Sequence, residues 1–210
     1  MTFKLFGFPI KVDLSFFVVA AFLGMNDNVR VWMIWVVAVF VSVLIHEMGH
    51  AFAGRRFGLR PAIRLTTFGG LTSWYGGGRL TPRESILVSL AGPAAGFATG
   101  FLVLALSRDL PAEAPYLRVA VGHLLWVNFG WGILNLLPLL PLDGGNVLRS
   151  GIHMLRGYPD EITPLRVSIL VGVAGAVLAI TNGFFYAAML AGFLTFQNYQ
   201  ALSAQGGRLL

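Results

Sequence analysis

Phe40–Gly58 reads FVSVLIHEMGHAFAGRRFG. It sets two histidines and a glutamate inside a run that is otherwise soluble in lipid. An ionisable side chain placed in hydrocarbon is costly, so groups retained there mark function by default. The remainder of the chain decides which function.

Composition settles the solvent. Of the 210 residues 56% are hydrophobic and 11% charged, far from the balance of a soluble domain, so the chain is read as a membrane protein. There is no cysteine, which excludes disulfide frameworks, thiolate metal sites and thiol nucleophiles. The net charge of +6 does not point to nucleic acid, because the arginines are scattered between apolar runs instead of gathered on one face. They read as topology signals.

About 20 apolar residues cross the roughly 30 Å of hydrocarbon in a bilayer. Runs of that kind at 31–57, 85–107, 116–137, 165–181 and 184–200, with a shorter one at 14–25, predict about six transmembrane helices in a single domain over 1–210. Between them, FKLFGFPIKVD near the start and RPAIRLTTFGGLTSWYGG after the second span are rich in β-branched and aromatic residues punctuated by glycine. They predict a small membrane-associated sheet, with a hairpin at about 62–75 turning at Gly69-Gly70 and joined by an N-terminal strand. The fold class is thus mainly α with a small β element.

Basic residues orient the spans. With the N-terminus in the cytoplasm, Arg30, Arg108 and Arg118 fall outside and the other twelve, from Lys4 to Arg208, fall inside, which is a positive-inside bias. His46 precedes Arg55 by nine residues, about 13 Å along a helix. The opening motif should therefore lie within the membrane, open toward the cytoplasm.

His46-Glu47-Met48-Gly49-His50 is an HExxH pattern. Histidines at i and i+4 project from one helical face and can share a metal, while the glutamate between them is placed to act on an attacking water. The competing reading has both histidines hydrogen-bonding between helices. A catalytic zinc takes three protein ligands, and the histidine that some soluble enzymes place six residues after the second ligand is replaced here by Arg56. No acidic residue follows until Glu84. Of the nine acidic residues, Asp13, Asp27, Glu84, Asp109, Glu113, Asp160 and Glu161 fall in loops or at span ends, which leaves Asp143 beside Glu47. Asp143 lies in NLLPLLPLDGGNVLRSG, where Pro138, Pro141 and Gly144-Gly145 interrupt the end of the fourth span. Irregular backbone at that depth requires protein or a water-filled cavity to receive its polar groups.

HEMGH, the Ala91-Gly92-Pro93 segment, the Asn135-x-x-Pro138-x-x-x-Leu142-Asp143-Gly144 pattern and the FGFPIKVDLSF opening together resemble the site-2 protease family of intramembrane zinc metalloproteases, in its compact prokaryotic form. The resemblance spans most of the chain. It implies that His46, His50 and Asp143 hold one Zn2+ per chain, that Glu47 is the general base, and that Asn135 lies near the substrate carbonyl, where it would stabilise an oxyanion. For Asn135 an interhelical hydrogen bond is the other reading. Gly96 departs from the family pattern, which often has asparagine there, and no PDZ or CBS domain is expected in this chain.

The function expected is hydrolysis of single-span membrane proteins within the bilayer. The resemblance suggests anti-sigma factors or membrane-bound transcription factor precursors as substrates, and a regulatory membrane partner, in the cell membrane and without nucleic acid. Two nitrogens and a carboxylate also suit iron, cobalt or manganese. A metal-binding scaffold or transporter of the same fold is the alternative. Because a substrate helix hides its peptide bonds, the hairpin either offers an edge for strand addition or merely shields the site from lipid. His123 reads as a packing or interfacial residue, His153 as a residue near the cytoplasmic surface and not a ligand, and the Gly92, Gly96, Gly100 face as packing.

Overall fold

A computed structural model describes residues 1–111 and 113–206; Arg208, counted among the cytoplasmic basic residues, lies outside that range. The contacts divide the chain into two compact units, one of Met1–Arg79 with Ala91–Leu134, the other of Leu80–Leu90 with the chain from Asn135 onward.

The first unit contains a four-stranded sheet: β1 (Thr2–Leu5), β2 (Phe8–Val12), β3 (Pro61–Thr66) and β4 (Gly69–Trp74), in that spatial order. β1 and β2 form a hairpin through Phe6 and Gly7, both at positive φ. β2 then runs parallel to β3, and β3 pairs antiparallel with β4. Alternation decides which face is buried: Phe8, Ile10 and Val12 of β2 and Ile63 and Leu65 of β3 point into one apolar cluster with Phe16, Val43 and Ala51. Each such side chain contributes about 1.5–3 kcal/mol on burial.

That cluster seats the sheet on α2 (Val29–Arg56), the 28-residue helix that carries HEMGH. Asn28 caps its start, its side-chain oxygen accepting from the amides of Arg30 and Val31. At the other end the Arg55 guanidinium lies 4.4 Å from the Phe8 ring centroid and donates to the Phe6 carbonyl at 3.0 Å, pinning the first hairpin to the helix. The short α1 (Leu14–Leu23) packs on α2, and the indoles of Trp32 and Trp35 donate to the carbonyls of Ala21 and Ala20 near its C-terminus. His123 stands edge-on to the Trp35 ring, as its packing role required.

α3 (Pro82–Leu106) begins in the second unit and continues into the first. The next span starts as α4 (Pro115–Leu125), widens into a π-helical turn over Trp126–Trp131 and closes as α5 (Gly132–Asn135). In the second unit α6 (Asp143–Arg156) ends at Gly157, at φ 75°, and is followed by α7 (Ile162–Thr181) and α8 (Phe185–Gly206).

Two expectations change. Among the described residues four helices are long and apolar enough to cross a membrane: Val29–Arg56, Pro82–Leu106, Pro115–Asn135 and Ile162–Thr181. The expected count of six spans is not reached by length and composition. α1 is apolar but covers only about 15 Å, and the second half of the 22-residue α8 carries Gln197, Asn198, Gln200, Ser203 and Gln205. The hairpin does not turn at Gly69-Gly70: Thr66 pairs with Gly69 and Leu65 with Gly70, so Thr67 and Phe68 form the tip. The reason for the glycines lies in the site below.

Candidate metal centre

His46 and His50 are buried one turn apart on α2, with their Nε2 atoms 3.2 Å apart and their rings inclined at 78°. Two nitrogens bound to one tetrahedral zinc at 2.0–2.1 Å lie about 3.3–3.4 Å apart. The pair therefore converges as metal ligands do, and the donor chemistry fits.

Glycines permit this crowding. A Cβ on Gly49 would meet the Ala91 carbonyl oxygen at 2.3 Å, so α2 and α3 touch through backbone at this level. One residue along α3, a Cβ on Gly92 would stand 2.2 Å from His50 Nε2 and 2.8 Å from His46 Nε2. Gly92 thus does more than the packing expected of it: it leaves room for the imidazoles. The other two glycines of that face do pack, Gly96 over Asn128 and Gly100 against the Phe129 ring.

Glu47 is buried and meets β4. Thr72 Oγ1 donates to Glu47 Oε2 at 2.6 Å, and a Cβ on Gly70 would lie 2.4 Å from Glu47 Oε1. Trp74, two residues beyond Thr72 on the same strand face, covers Gly54. Gly70, Thr72 and Trp74 recur at the strand period and so lay one face of β4 along α2. This is why Gly70 sits in the strand and not in the turn; Gly69, at φ 110°, opens the strand beside it.

A turn N-terminal to His46 on α2, Ser42 accepts from Asn128 Nδ2 at 2.9 Å; Asn128 also donates to the Leu124 carbonyl at 2.8 Å, within the π-helical segment. Among the described residues its Oδ1 has no hydrogen-bond partner.

Asn135 and Asp143 belong to the second unit, Asn135 as the last residue of α5 and Asp143 as the first of α6. Between them the chain is irregular, and its polar groups are received by protein. Ser168 Oγ accepts from the Leu140 amide at 2.9 Å and Asn198 Nδ2 donates to the Leu140 carbonyl at 2.7 Å. A Cβ on Gly144 would be 2.1 Å from the Leu136 oxygen and one on Gly145 2.5 Å from the Leu140 nitrogen, so the loop lies directly on the helix start. Asp143 stands in the first turn of α6, where a carboxylate is favoured by the helix dipole. His153, further along α6, lines a polar cavity of about 120 Å³ with Ser85, Arg149 and Ser150.

Sequence reasoning did not single out Thr72, Ser42, Asn128, Ser168 or Asn198. Each is a polar residue whose partner is remote in sequence, and the only signal was the polarity of Ser42, Asn128, Ser168 and Asn198 inside apolar runs.

Long apolar helices, a small sheet and a buried imidazole pair are the features of a membrane protein that could hold a metal. A model of Peptidase family M50 matches residues 34–113 and 112–181, and the chain belongs to that family, the site-2 proteases. A zinc metalloprotease of Methanocaldococcus jannaschii is 27% identical over 187 residues, 86% of this chain and 52% of that protein. Rip3 of Mycobacterium tuberculosis is 35% identical over 147 residues, 69% of this chain and 36% of its own length. The chain spans about half the length, or less, of these curated relatives. Among solved structures, the Site-2 Protease from Methanocaldococcus jannaschii has a TM-score of 0.66 at 24% identity, covering 96% of this chain and 94% of that one, a likeness of fold.

Proposed function

We propose that the protein is a zinc endopeptidase that hydrolyses transmembrane substrates within the bilayer. The observation that carries this is the convergent His46–His50 pair with Glu47 between them, buried on a membrane-spanning helix of a site-2 protease family member. His46, His50 and Asp143 hold the ion. The reading of Asp143 rests on the family's NxxPxxxLDG pattern and on the scarcity of other carboxylates in membrane-buried sequence.

When bound, zinc polarises the scissile carbonyl and acidifies the attacking water. Glu47 takes the proton from that water and later gives it to the departing amine nitrogen, ending as it began. Asn135 donates to the oxyanion that develops on the carbonyl. The substrate strand pairs with β4, the last strand in the sheet order, so that an unwound peptide lies extended beside the base. Single-span regulatory proteins such as anti-sigma factors or membrane-bound transcription factor precursors are the proposed substrates. The protein sits in the cell membrane with its site open to the cytoplasm, under a regulatory membrane partner.

The test is cleavage of a single-span substrate in liposomes by wild type, Glu47→Gln and Asp143→Asn, with bound metal quantified. Cutting by wild type alone, with metal retained in Glu47→Gln and depleted in Asp143→Asn, is expected. Metal without cutting across a panel of substrates would sink the protease reading.

A further inference from the structure

We infer that Thr72 is a positioning residue for Glu47: the strand that receives the substrate also anchors the general base through a hydroxyl. The inference rests on the protease reading and adds to it a residue outside the HExxH and LDG motifs.

The geometry is specific. The Thr72 hydroxyl has one proton and two oxygens of Glu47 within reach, the carboxylate Oε2 at 2.6 Å and the main-chain carbonyl at 3.2 Å. The shorter contact has the length of a charge-assisted O–H···O⁻ bond, so the proton goes to the carboxylate. Glu47 is buried, at 5% exposed, and Thr72 is half-buried, which strengthens the bond. The carboxylate has two oxygens, and β4 treats them differently. Oε2 is anchored by Thr72, whereas Oε1 lies against Gly70, where only a hydrogen leaves it space.

The division assigns the chemistry. Oε1 takes the proton from water as the water oxygen bonds to the scissile carbon, and Oε1 returns the same proton to the amide nitrogen when the C–N bond breaks. Thr72 keeps its own proton throughout and fixes the plane in which Oε1 swings. Since Gly70 and Thr72 lie in the strand paired with β3 through Leu65 and Ile63, a displacement of β4 by a docking peptide moves the base with it. Docking and base placement are one mechanical event.

The experiment uses the full chain in nanodiscs, as wild type, Thr72→Ser, Thr72→Val and Thr72→Ala, with kcat, KM and bound metal measured. In parallel, glutamate is labelled with 13C at the side-chain carboxyl. The chain has four glutamates, and the Glu47 resonance is assigned by its loss in Glu47→Gln. Thr72→Val keeps shape and strand propensity but removes the donor. It should lower kcat roughly ten- to a hundredfold, the effect of losing one charge-assisted hydrogen bond, with KM and metal content within about twofold of wild type. Its Glu47 resonance should move, while Thr72→Ser keeps both rate and resonance. Thr72→Ala repeats the comparison if valine perturbs folding. An unmoved Glu47 resonance, or a kcat within about threefold of wild type in the valine and alanine variants, would overturn the inference. A wild type that binds metal and cuts nothing would instead count against the protease reading, and the resonance comparison would still decide the Thr72–Glu47 bond.

Discussion

Gly92 lies so close to His50 that a Cβ at position 92 would stand 2.2 Å from the imidazole Nε2. The helix that follows the sheet thus approaches the imidazole pair with backbone alone. Gly92→Ala should push the imidazoles apart. The expected outcome is a weakening of zinc affinity by roughly ten- to a hundredfold, the size of effect seen when support around a ligand is disturbed. Metal titration of the apoprotein checks it.

Gly70→Ala addresses Glu47 instead of the two histidines. Its Cβ would lie 2.4 Å from Glu47 Oε1. Metal content should match wild type while kcat falls by more than about tenfold. Cleavage rates and metal stoichiometry measured on the same preparation separate this outcome from that of Gly92→Ala.

Asn128 donates to Ser42 and Leu124, yet its buried Oδ1 has no partner among the described residues. A Cβ on Gly96 would meet that oxygen at an ordinary 3.6 Å, so Gly96→Ser can supply the donor without a clash. A gain of about 0.5–1.5 kcal/mol is expected. Thermal unfolding in detergent should show Gly96→Ser more stable than Gly96→Ala.

Ser168 and Asn198 hold the two polar groups of Leu140. Either Ser168→Ala or Asn198→Leu leaves one buried group unpaired, at a cost of about 1–3 kcal/mol. Because both act on a single residue, the double variant should cost less than the sum of the two. Unfolding of the four proteins closes the cycle.

Asp160 accepts from the hydroxyl and amide of Thr163 and the amide of Ile162 and pairs with Arg156, and these contacts, led by the Thr163 hydroxyl, hold its carboxyl below the ordinary value. A folded value lower than the unfolded one contributes stability above about pH 4. That contribution disappears as pH falls through the folded value. Asp160→Ala should destabilise α7 by about 1 kcal/mol at neutral pH, and the gap from wild type should narrow on acidification. Unfolding midpoints at pH 7 and pH 3 test the sign.

The metal helix was the most legible part, because two histidines and a glutamate have few reasons to share an apolar run. Asp143 stood out for the same scarcity of charge. The sheet was visible from β-branched residues and glycine, but its turn was misplaced: Gly69 and Gly70 look like a turn, yet both pair within β4, where Gly70 lets the strand approach Glu47 and Gly69 takes a positive φ of 110°. α6 was read as part of an irregular loop because Pro138, Pro141 and the glycine pair precede or open it. No local signature marks the π-helical turn at Trp126–Trp131. Thr72 was illegible for a different reason: a threonine in a strand is ordinary, and its partner lies 25 residues away.

The parallel pairing of β2 with β3 constrains the order of assembly. All of α1 and α2 lies between two strands that end side by side. The first hairpin leaves the ribosome early and waits, since its partner strand does not exist until the helix bearing HEMGH has been made. The sheet can close only on a finished α2, and a chain that misinserts that helix has no seat for β4 against Glu47. A Glu47 held by Thr72 is therefore a record of correct insertion, written into the order in which the ribosome delivers the chain.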